Sequence, residues 1–583
     1  MSRPHGDVAA SPAATAGGTN GLLWRVRESY MSRTGAAYLV EALAEYGVTR
    51  VFGNPGTTEL PTVQAVAESP LEYVLALHED VAVGMAAGYA TTRRYHAHHD
   101  ERVSPLAVTN LHVAPGLAHG LSNVIGAAFT GAPVLVTAGN YQTDFQHEEP
   151  ILHGDLEAIV DQYTKWSASI PSVDALPAML RRAARQALTP PTGPVFVELP
   201  VDVMTATTDA PVERLGPIPD AGRGDPEAVA AAASLLVDAD KPVMVIGDDV
   251  ARSGPDAIQA AVDLAETAGI RVHGEYITAE SNFPTDHALW GGTVPGAESG
   301  FRETVDGETV CFVGCGSATT SLAHETDLLA DATIVQIGPN GWELGKNWPA
   351  DASVLGDPGH VLAELVELVD ESLPAAAQAR RRERAREAAA AQWESRRPAD
   401  PDPADPRASK GELGAAMGEA AADALVVSEG VTSGAAMRWH LPLGPEQWIS
   451  TKSGGLGYGL PAAIGAAMAE AERPAPRDVV GFIGDGSYLY YPQAIYSAVR
   501  HDVDLTVVVA DNQNYRILKD NTLRVLGGEE PDHNFDAMEF DPPAAIADGA
   551  ESYGATAHLV DSPDEIADAI AAGRDRDGPT VLD

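Results

Sequence analysis

The hydrophobic pattern divides the chain into three blocks in which short apolar runs alternate with segments of helical periodicity. The clearest strand predictions are 50–52, 106–109, 134–137 and 195–198 in the first block, 242–247, 309–314 and 333–338 in the second, and 424–428, 479–484 and 505–510 in the third. Strands that alternate with helices in this way form parallel sheets with helices on both faces. The pattern therefore predicts an α/β protein with three doubly wound, parallel-sheet domains.

The segments that separate the blocks are polar, charged or rich in proline, and they predict the domain boundaries. The first 30 residues are rich in Ala, Gly, Ser, Thr and Pro and predict a disordered tail, so that Met31 is an alternative start of the chain. The stretch 398–407 carries prolines at a density that neither a helix nor a central strand accepts. We expect domains at 31–203, 224–370 and 409–583, with a helical and proline-rich linker at 371–408.

The charge balance is strongly acidic, with 83 Asp and Glu against 38 Lys and Arg and a formal charge of −45. Proteins that bind duplex nucleic acid need clustered cations to displace counterions from phosphates, so this class is excluded. An acidic surface with few lysines suits a cytoplasm of molar salt, where charges are screened over about 3 Å. No stretch approaches the ~20 apolar residues of a membrane span. We therefore expect a halophilic, cytoplasmic protein that does not enter a membrane.

A glycine-rich turn in the third block carries the most specific chemical signal. The predicted strand at 479–484 ends in Gly484-Asp485-Gly486-Ser487, and a helix follows. Such a turn presents backbone N–H groups and the positive end of a helix dipole to a phosphate. Asp485 would offer a carboxylate oxygen, Asn512 an amide oxygen and Asn514 its main-chain carbonyl, a donor set that suits Mg²⁺.

This turn and its distance to Asn512 resemble the metal–diphosphate motif of the thiamine-diphosphate-dependent enzymes. The resemblance implies thiamine diphosphate and Mg²⁺ as cofactors, with Leu456 of Gly454-Gly455-Leu456-Gly457 holding the bent cofactor. The implied cofactor contacts are Glu79, Gly455, Leu456, Gly484, Gly486, Ser487, Asn512 and Tyr515, and the implied metal ligands are Asp485, Asn512 and Asn514.

Glu79 opens a run of small residues, Val81 to Ala90, that predicts a tightly packed helix. An isolated Glu at this position is most often a capping residue that favours the helix dipole. The resemblance implies instead that Glu79 hydrogen-bonds the cofactor's aminopyrimidine and promotes loss of its C2 proton. It also implies a pyrimidine-binding first domain and a diphosphate-binding third domain. In this family these two domains meet across a dimer interface, so we expect a homodimer or homotetramer.

Within this family the chain resembles benzoylformate decarboxylase and its relatives over nearly everything after residue 31. The resemblance lies in the segments 51–61, 110–116 and 282–287, and it implies Thr57, His112 and His287 as catalytic residues beside Glu79. Imidazole titrates near neutral pH, so two histidines could donate and accept the protons of an aldehyde-forming decarboxylation. The sequence thus predicts non-oxidative decarboxylation of a small 2-oxo acid to an aldehyde and CO₂.

Two other functions stay open. An acetolactate-synthase-like carboligase would join two 2-oxo acids, and such enzymes commonly bind FAD in the central domain. Here Gly247-Asp248-Asp249 follows the first strand of that domain, and acidic residues would repel a dinucleotide's phosphates, so we expect no FAD. A non-catalytic homologue that only binds the cofactor is the third possibility.

Finally, His96-Ala-His-His99 predicts a solvated loop.

Overall fold

The computed structural model describes residues 32–307, 309–316 and 324–583. The tail predicted at 1–30 and the alternative start at Met31 lie outside the described residues. Three six-stranded parallel sheets form three α/β domains, which confirms the predicted fold class. The exact domain boundaries stay a prediction.

The first domain is a parallel sheet with the strand order β3-β2-β4-β5-β7-β6, beside a short antiparallel pair of β1 and β8. Its strands are β1 (Arg33–Thr34), β2 (Arg50–Gly53), β3 (Glu72–Leu75), β4 (Ala107–His112), β5 (Val134–Asn140), β6 (Ser167–Ser169), β7 (Val195–Pro200) and β8 (Thr207–Thr208). Its helices are α1 (Gly35–Glu45), α2 (Leu60–Ala67), α3 (Glu79–His99), α4 (Val113–His119), α5 (Leu121–Thr130), α6 (Leu156–Val160), α7 (Leu176–Leu188) and α8 (Val201–Thr205).

The central domain has the order β11-β10-β9-β12-β13-β14, with all neighbours parallel. Its strands are β9 (Pro242–Ile246), β10 (Arg271–Gly274), β11 (Trp290–Thr293), β12 (Thr309–Val313), β13 (Thr333–Gly338) and β14 (Ala352–Leu355). Its helices are α9 (Pro226–Asp238), α10 (Asp248–Arg252), α11 (Pro255–Ala268), α12 (Glu298–Thr304) and α13 (Pro358–Ser372), and α14 (Ala375–Glu394) leads toward the third domain.

The third domain repeats the topology of the first, with the order β16-β15-β17-β18-β20-β19. Its strands are β15 (Leu425–Glu429), β16 (Trp448–Ser450), β17 (Val479–Gly484), β18 (Leu505–Ala510), β19 (Thr556–His558) and β20 (Pro579–Leu582). Its helices are α15 (Lys410–Ala420), α16 (Gly434–His440), α17 (Gly459–Glu470), α18 (Asp485–Tyr488), α19 (Ala494–Arg500), α20 (Arg516–Leu526), α21 (Ile546–Ser552) and α22 (Ile566–Arg574).

The first and third domains are joined by the close crossing of α3 and α17. A Cβ atom at Gly88 would overlap the Ala462 carbonyl, and one at Gly465 would overlap the Met85 carbonyl. Only glycine permits this approach of two backbones. Both helices belong to one hydrophobic core that spans the two sheets, so the small-residue runs seen in the sequence serve this packing.

Buried ion pairs hold the central domain against the other two. Lys452 of the third domain lies 2.9 Å from Asp248 and also pairs with Glu275, both of the central domain. Arg94 of α3 lies 2.6 Å from the buried carboxylate of Glu280. Removing one member of such a buried pair leaves an uncompensated charge, which costs several kcal/mol (about 3–5).

The histidines at 96–99 are not in a loop, because they form the last turn of α3. His96 is buried with its Nε2 atom 3.1 Å from Glu470, while His98 and His99 each lie 2.9 Å from Glu446. The acidic partners come from the third domain, hundreds of residues away in sequence, and they let the helix continue through a polar segment. In the described part of the chain, no helix is long and apolar enough to cross a membrane.

Candidate active site

The carboxyl ends of β15 and β17 form the switch point of the third sheet, where the strand order reverses. Ligands of open α/β sheets bind at such points. Asp485 follows β17 directly and opens the short helix α18. One of its carboxylate oxygens accepts the Gly486 N–H at 2.8 Å, and the other accepts the Asn512 N–H at 3.3 Å. The two predicted metal-ligand segments therefore meet.

This turn brings carboxylate and amide oxygens close together. Burial, and then the neighbouring Asp511, raise the pKa of Asp485 to about 7. The Asn512 amide oxygen accepts the Asn514 N–H at 3.1 Å. The side-chain amide oxygen of Asn514 is buried without a hydrogen-bond partner. Two facing carboxylates and an orphaned amide oxygen are the donor set that a hard divalent cation would satisfy.

Aromatic side chains close one side of the turn. The Tyr515 ring packs against Gly486, where a Cβ atom would lie 2.6 Å from it, and stands edge-on to Phe540 at 4.9 Å. Ser487 is buried, and its hydroxyl donates to the Glu429 carbonyl at 3.4 Å. The turn thus brings together four of the residues implied as cofactor contacts: Gly484, Gly486, Ser487 and Tyr515.

The loop before α17 supplies a second glycine-rich surface. Gly454 has φ +74° and open space around its Cα, and Gly457 has φ +94° beside the rings of Tyr490 and Tyr491. Gly455 donates its N–H to the Ser453 hydroxyl at 3.2 Å, and Leu456 is half-buried between the two left-handed glycines. The loop can therefore present the Leu456 side chain to a ligand.

Glu429, at the end of β15, is a site residue that the sequence reasoning missed. Its buried carboxylate accepts the N–H groups of Gly457 and Gly459, at 3.3 and 2.8 Å, and so ties β15 to the glycine-rich loop. Burial raises the pKa of Glu429 to about 7, although these N–H groups oppose the shift. No local motif marks this residue, since a single Glu at a strand end has no characteristic spacing.

In the first domain, Glu79 is the first residue of α3. The His78 ring caps the helix by accepting the Asp80 N–H at 3.1 Å. The Glu79 side chain is buried, and one carboxylate oxygen lies 3.3 Å from Nδ1 of His119. His78, Glu79 and His119 lie close enough to share a metal ion. Asp80 joins the same end of α3 to the third domain, since Tyr491 donates its hydroxyl to it at 2.9 Å.

His112 ends β4, at the switch point of the first sheet. Its Nδ1 atom lies 2.8 Å from the buried carboxylate of Glu59. That carboxylate also accepts the N–H groups of Gly56 at 2.8 Å and Gly139 at 2.9 Å. The His112 ring lies where a Cβ of Gly56 would be. Glu59 therefore fixes the imidazole through Nδ1 and leaves Nε2 available for chemistry.

The predicted Thr57 is exposed at the start of a short 3-10 helix, Thr57–Glu59. The hydroxyl that faces His112 belongs to Thr58, which lies 3.3 Å from Nδ1 and donates to Glu59 at 2.7 Å. Thr57 is thus directed away from the His112–Glu59 pair within this chain, and its catalytic role stays a prediction.

Comparison with known protein families decides the identity. Three family models of the thiamine pyrophosphate enzymes match in succession. They are the N-terminal TPP binding domain at residues 33–164, the central domain at 229–365 and the C-terminal TPP binding domain at 430–583. The chain belongs to the thiamine pyrophosphate enzymes. The predicted family is therefore confirmed.

Relatives within the family differ in activity. Benzoylformate decarboxylase of Pseudomonas aeruginosa is 29% identical over 93% of this chain and 97% of its own length. Acetolactate synthase isozyme 1 large subunit of Escherichia coli is 27% identical over 82% of each chain. The structure of Rhodococcus jostii thiamine diphosphate-dependent 4-hydroxybenzoylformate decarboxylase has a TM-score of 0.80 and 25% identity, over 94% of this chain and 98% of that one.

His287 is not brought to either switch point within this chain. Its Nε2 atom lies 3.4 Å from Glu266, and its ring stands edge-on to Phe283 at 5.3 Å. Thr285, two residues before it, donates its N–H to the Leu443 carbonyl of the third domain at 3.1 Å and accepts the Leu443 N–H on its hydroxyl at 2.8 Å. The catalytic role of His287 stays a prediction. Glu79 lies at the start of α3 and His112 at the end of β4.

Proposed function

We propose that this chain is a thiamine diphosphate-dependent, non-oxidative decarboxylase of a small 2-oxo acid. The observation that carries the proposal is the His112–Glu59 pair at the switch point of the first sheet, 2.8 Å apart. A decarboxylase must protonate the carbon from which CO₂ has departed, whereas a carboligase bonds that carbon to a second substrate. An imidazole fixed at Nδ1, with Nε2 free, suits the first task.

The third domain fits Mg²⁺ and a diphosphate. Asp485 and Asn512 would hold the metal through side-chain oxygens and Asn514 through its main-chain carbonyl, because the segments that carry them already meet. The N–H group of Ser487 near the start of α18 would face a phosphate, since the N–H of Gly486 is donated to Asp485. When bound, the cofactor supplies the electron sink that makes loss of CO₂ possible.

Glu79 would hold the aminopyrimidine through its buried carboxyl group. The first turn of α3 fixes that carboxyl in place, with His78 as the cap and His119 3.3 Å away. Leu456 would support the cofactor from the third domain. His112 would then deliver one proton to the reacting carbon, so that R–CO–COO⁻ plus H⁺ yields R–CHO and CO₂.

A second copy of the chain would complete the site. Exposed apolar side chains lie close in sequence to the site residues of both domains. They are Leu60 and Leu77 in the first domain, and Val431, Tyr490 and Leu518 in the third. Exposed apolar groups of this size around polar clefts mark protein–protein contacts. We propose that these surfaces meet in a homodimer or a larger homo-oligomer.

The central domain is poorly suited to FAD. The carboxyl edge of its sheet carries Asp248 and Glu275, both buried and paired with Lys452. Asp248 also accepts the N–H of Ala279 at 3.0 Å and the Asn282 amide at 3.0 Å. A dinucleotide phosphate at this edge would have to displace this network, which supports a function without FAD.

The deciding experiment is product analysis with thiamine diphosphate and Mg²⁺ in molar KCl. Pyruvate, branched 2-oxo acids, phenylpyruvate and benzoylformate are incubated in parallel with wild type, His112→Ala and His558→Ala. The last is the matched control, because His558 is exposed on the edge strand β19. We expect CO₂ and the matching aldehyde in equal amounts, about 100-fold more slowly for His112→Ala. A 2-hydroxy ketone as the main product would instead establish a carboligase.

A further inference from the structure

A cavity of about 140 Å³ lies outside the candidate active site, between the central domain, α14 and α16. Five of the residues that line it are aromatic. The indoles of Trp393 and Trp439 stack with ring centres 4.8 Å apart. Trp290 stacks on Phe283 at 6.0 Å. An apolar cavity of about 150 Å³ holds a benzene molecule, so this space admits one planar ring.

Two guanidinium groups line the same cavity. Arg396 follows α14 and Arg438 lies on α16. Within the described parts of the chain neither side chain takes part in a hydrogen bond or an ion pair, and the Nε atom of Arg396 is buried without a partner. The Arg438 group sits over the Trp448 ring at 5.6 Å. Burial, and then the charge of Arg396, lower the pKa of Arg438 to about 10.

Unpaired polar groups complete the lining. Trp290 and Trp448 are 8% and 4% exposed, yet their indole N–H groups have no acceptor among the residues that the structure describes. Buried N–H donors without a partner are costly and call for an explanation. Among the described residues, three oxygens of the lining are also buried without a partner: the second carboxylate oxygen of Glu280, whose first lies 2.6 Å from Arg94, the side-chain carbonyl oxygen of Asn282 and the Ser281 hydroxyl. The free N–H donors at the two arginines and two indoles favour an acceptor at their end of the cavity.

We propose that this cavity binds a planar organic carboxylate of about the size of benzoate. The carboxylate would lie between the guanidinium groups of Arg396 and Arg438 and accept their N–H donors, and the ring would pack among the indoles. A charge-assisted, forked contact of guanidinium with carboxylate is among the strong hydrogen bonds of proteins. Neither a free inorganic anion nor a neutral ring would satisfy both the donors and the aromatic walls.

The position of the cavity separates it from the reaction. It lies beside Leu443 and the amino end of β16, whereas Asp485 and Glu429 lie at the carboxyl ends of their strands. The catalytic candidates Glu79, His112 and His287 are not among its lining residues, although the lining residue Phe283 contacts His287. The inference therefore does not depend on the proposed decarboxylase activity.

Titration of the full-length protein with benzoate in molar KCl tests the inference. Four of the eight tryptophans line the cavity, so intrinsic fluorescence reports occupancy. We expect saturable quenching by benzoate. Acetate and phosphate, which have no aromatic ring, and benzyl alcohol, which has no carboxylate, should each bind at least about tenfold more weakly. Equal binding of phosphate would mean a simple anion site, and equal binding of benzyl alcohol a simple apolar one. Either result overturns the inference.

Variants locate the bound benzoate. Arg438→Gln and Arg396→Gln should each weaken binding at least about tenfold, whereas Arg397→Gln, the exposed neighbour that pairs with Glu394 and Asp400, should change it less than twofold. His112→Ala should also leave it unchanged, which distinguishes this cavity from the active site. If Arg438→Gln fails to fold, the benzoate affinity of the Arg396→Gln variant, at a half-buried position, still tests the proposal. Wild-type affinity in Arg396→Gln, or no saturable binding by wild type, would refute the proposal.

Discussion

The first and third sheets have the same strand order, yet their switch points treat buried carboxylates in opposite ways. In the first sheet, Glu59 is saturated by His112 and by backbone N–H groups. In the third, burial raises the pKa of both Asp485, which also faces Asp511, and Glu429 to about 7. One topology thus supports a carboxylate paired with an imidazole on one side and, on the other, carboxyl groups whose proposed partner is a cation.

This contrast explains how two similar domains can divide the work of one cofactor. The first sheet positions the groups proposed to move protons, and the Glu59 carboxylate there is bonded by the protein's own groups. The third sheet carries unsatisfied charge and polar oxygens, which a metal ion would relieve. The proposed contacts with the metal and the diphosphate all lie in the third domain, so this domain alone would supply the free energy of binding these two groups. The following predictions test this division.

The largest effect is expected from Asp485→Asn. The variant should lose Mg²⁺-dependent stabilisation and at least about 100-fold in activity, because the anionic metal ligand is gone. Without Mg²⁺ its thermal midpoint should rise above that of wild type, because the repulsion between Asp485 and Asp511 is relieved. Thermal unfolding with and without Mg²⁺ and thiamine diphosphate measures both effects.

Asp511→Asn is the matched control for that experiment. It relieves the same repulsion but keeps the Asp485 carboxylate, and Asp511 is exposed. We expect a raised midpoint without Mg²⁺ and retained stabilisation with it. If both variants behave alike, Asp485 has no special role in metal binding.

The joint between the two domains should be the next most sensitive feature. In Gly465→Ala the new methyl group would overlap the Met85 carbonyl of α3. Forced separation of packed backbones costs about 3 kcal/mol, measured as the shift of the urea midpoint. Gly549→Ala on α21 is the control, because a Cβ there meets open space. It should be neutral or slightly stabilising, by about 0.5–1 kcal/mol. A similar loss in both variants would contradict the packing argument.

The sequence predicts the fold well because each central strand is a continuous apolar run that ends in glycine or a polar residue. Asp485, Asn512 and Glu79 can also be predicted, since their motifs are local. The pairing of Glu59 with His112 could not be predicted from the sequence, because β2 and β4 come together only in the folded sheet. The loop predicted for the histidines at 96–99 is wrong for the same reason: their partners Glu446 and Glu470 lie in the third domain.

A smaller effect, confined to the reaction, is expected from Glu59→Gln. The amide keeps the shape of the side chain but loses the negative charge that holds Nδ1 of His112, so kcat should fall about tenfold or more. The affinity for thiamine diphosphate and Mg²⁺ should stay unchanged, because Glu59 is not among the residues proposed to hold them. The pH profile of kcat should also shift. Glu68→Gln, at the exposed end of α2, is the control. A weakened cofactor affinity in Glu59→Gln would break the proposed division.

The smallest effect concerns the two ends of α17, where the contrast recurs within one helix. Glu429 near its start has a raised pKa, whereas Glu470 at its end has a lowered one. Burial alone would raise the pKa of Glu470, but hydrogen bonds from His96 and Arg477 hold it at about 2, against 4.5 for a free Glu. A lowered pKa contributes stability above pH 4.5 that is lost as the pH falls toward 2.

Glu470→Gln should therefore lower the free energy of unfolding by about 1–3 kcal/mol at pH 6. The gap to wild type should close as the pH falls from 4.5 toward 2, because the wild-type carboxylate then takes up its proton. Urea unfolding at several pH values in constant molar KCl measures this gap. Glu419→Gln, exposed on α15, should show no such gap. A gap that persists at low pH would mean that Glu470 stabilises the domain contact through its shape and packing, and that its charge contributes nothing.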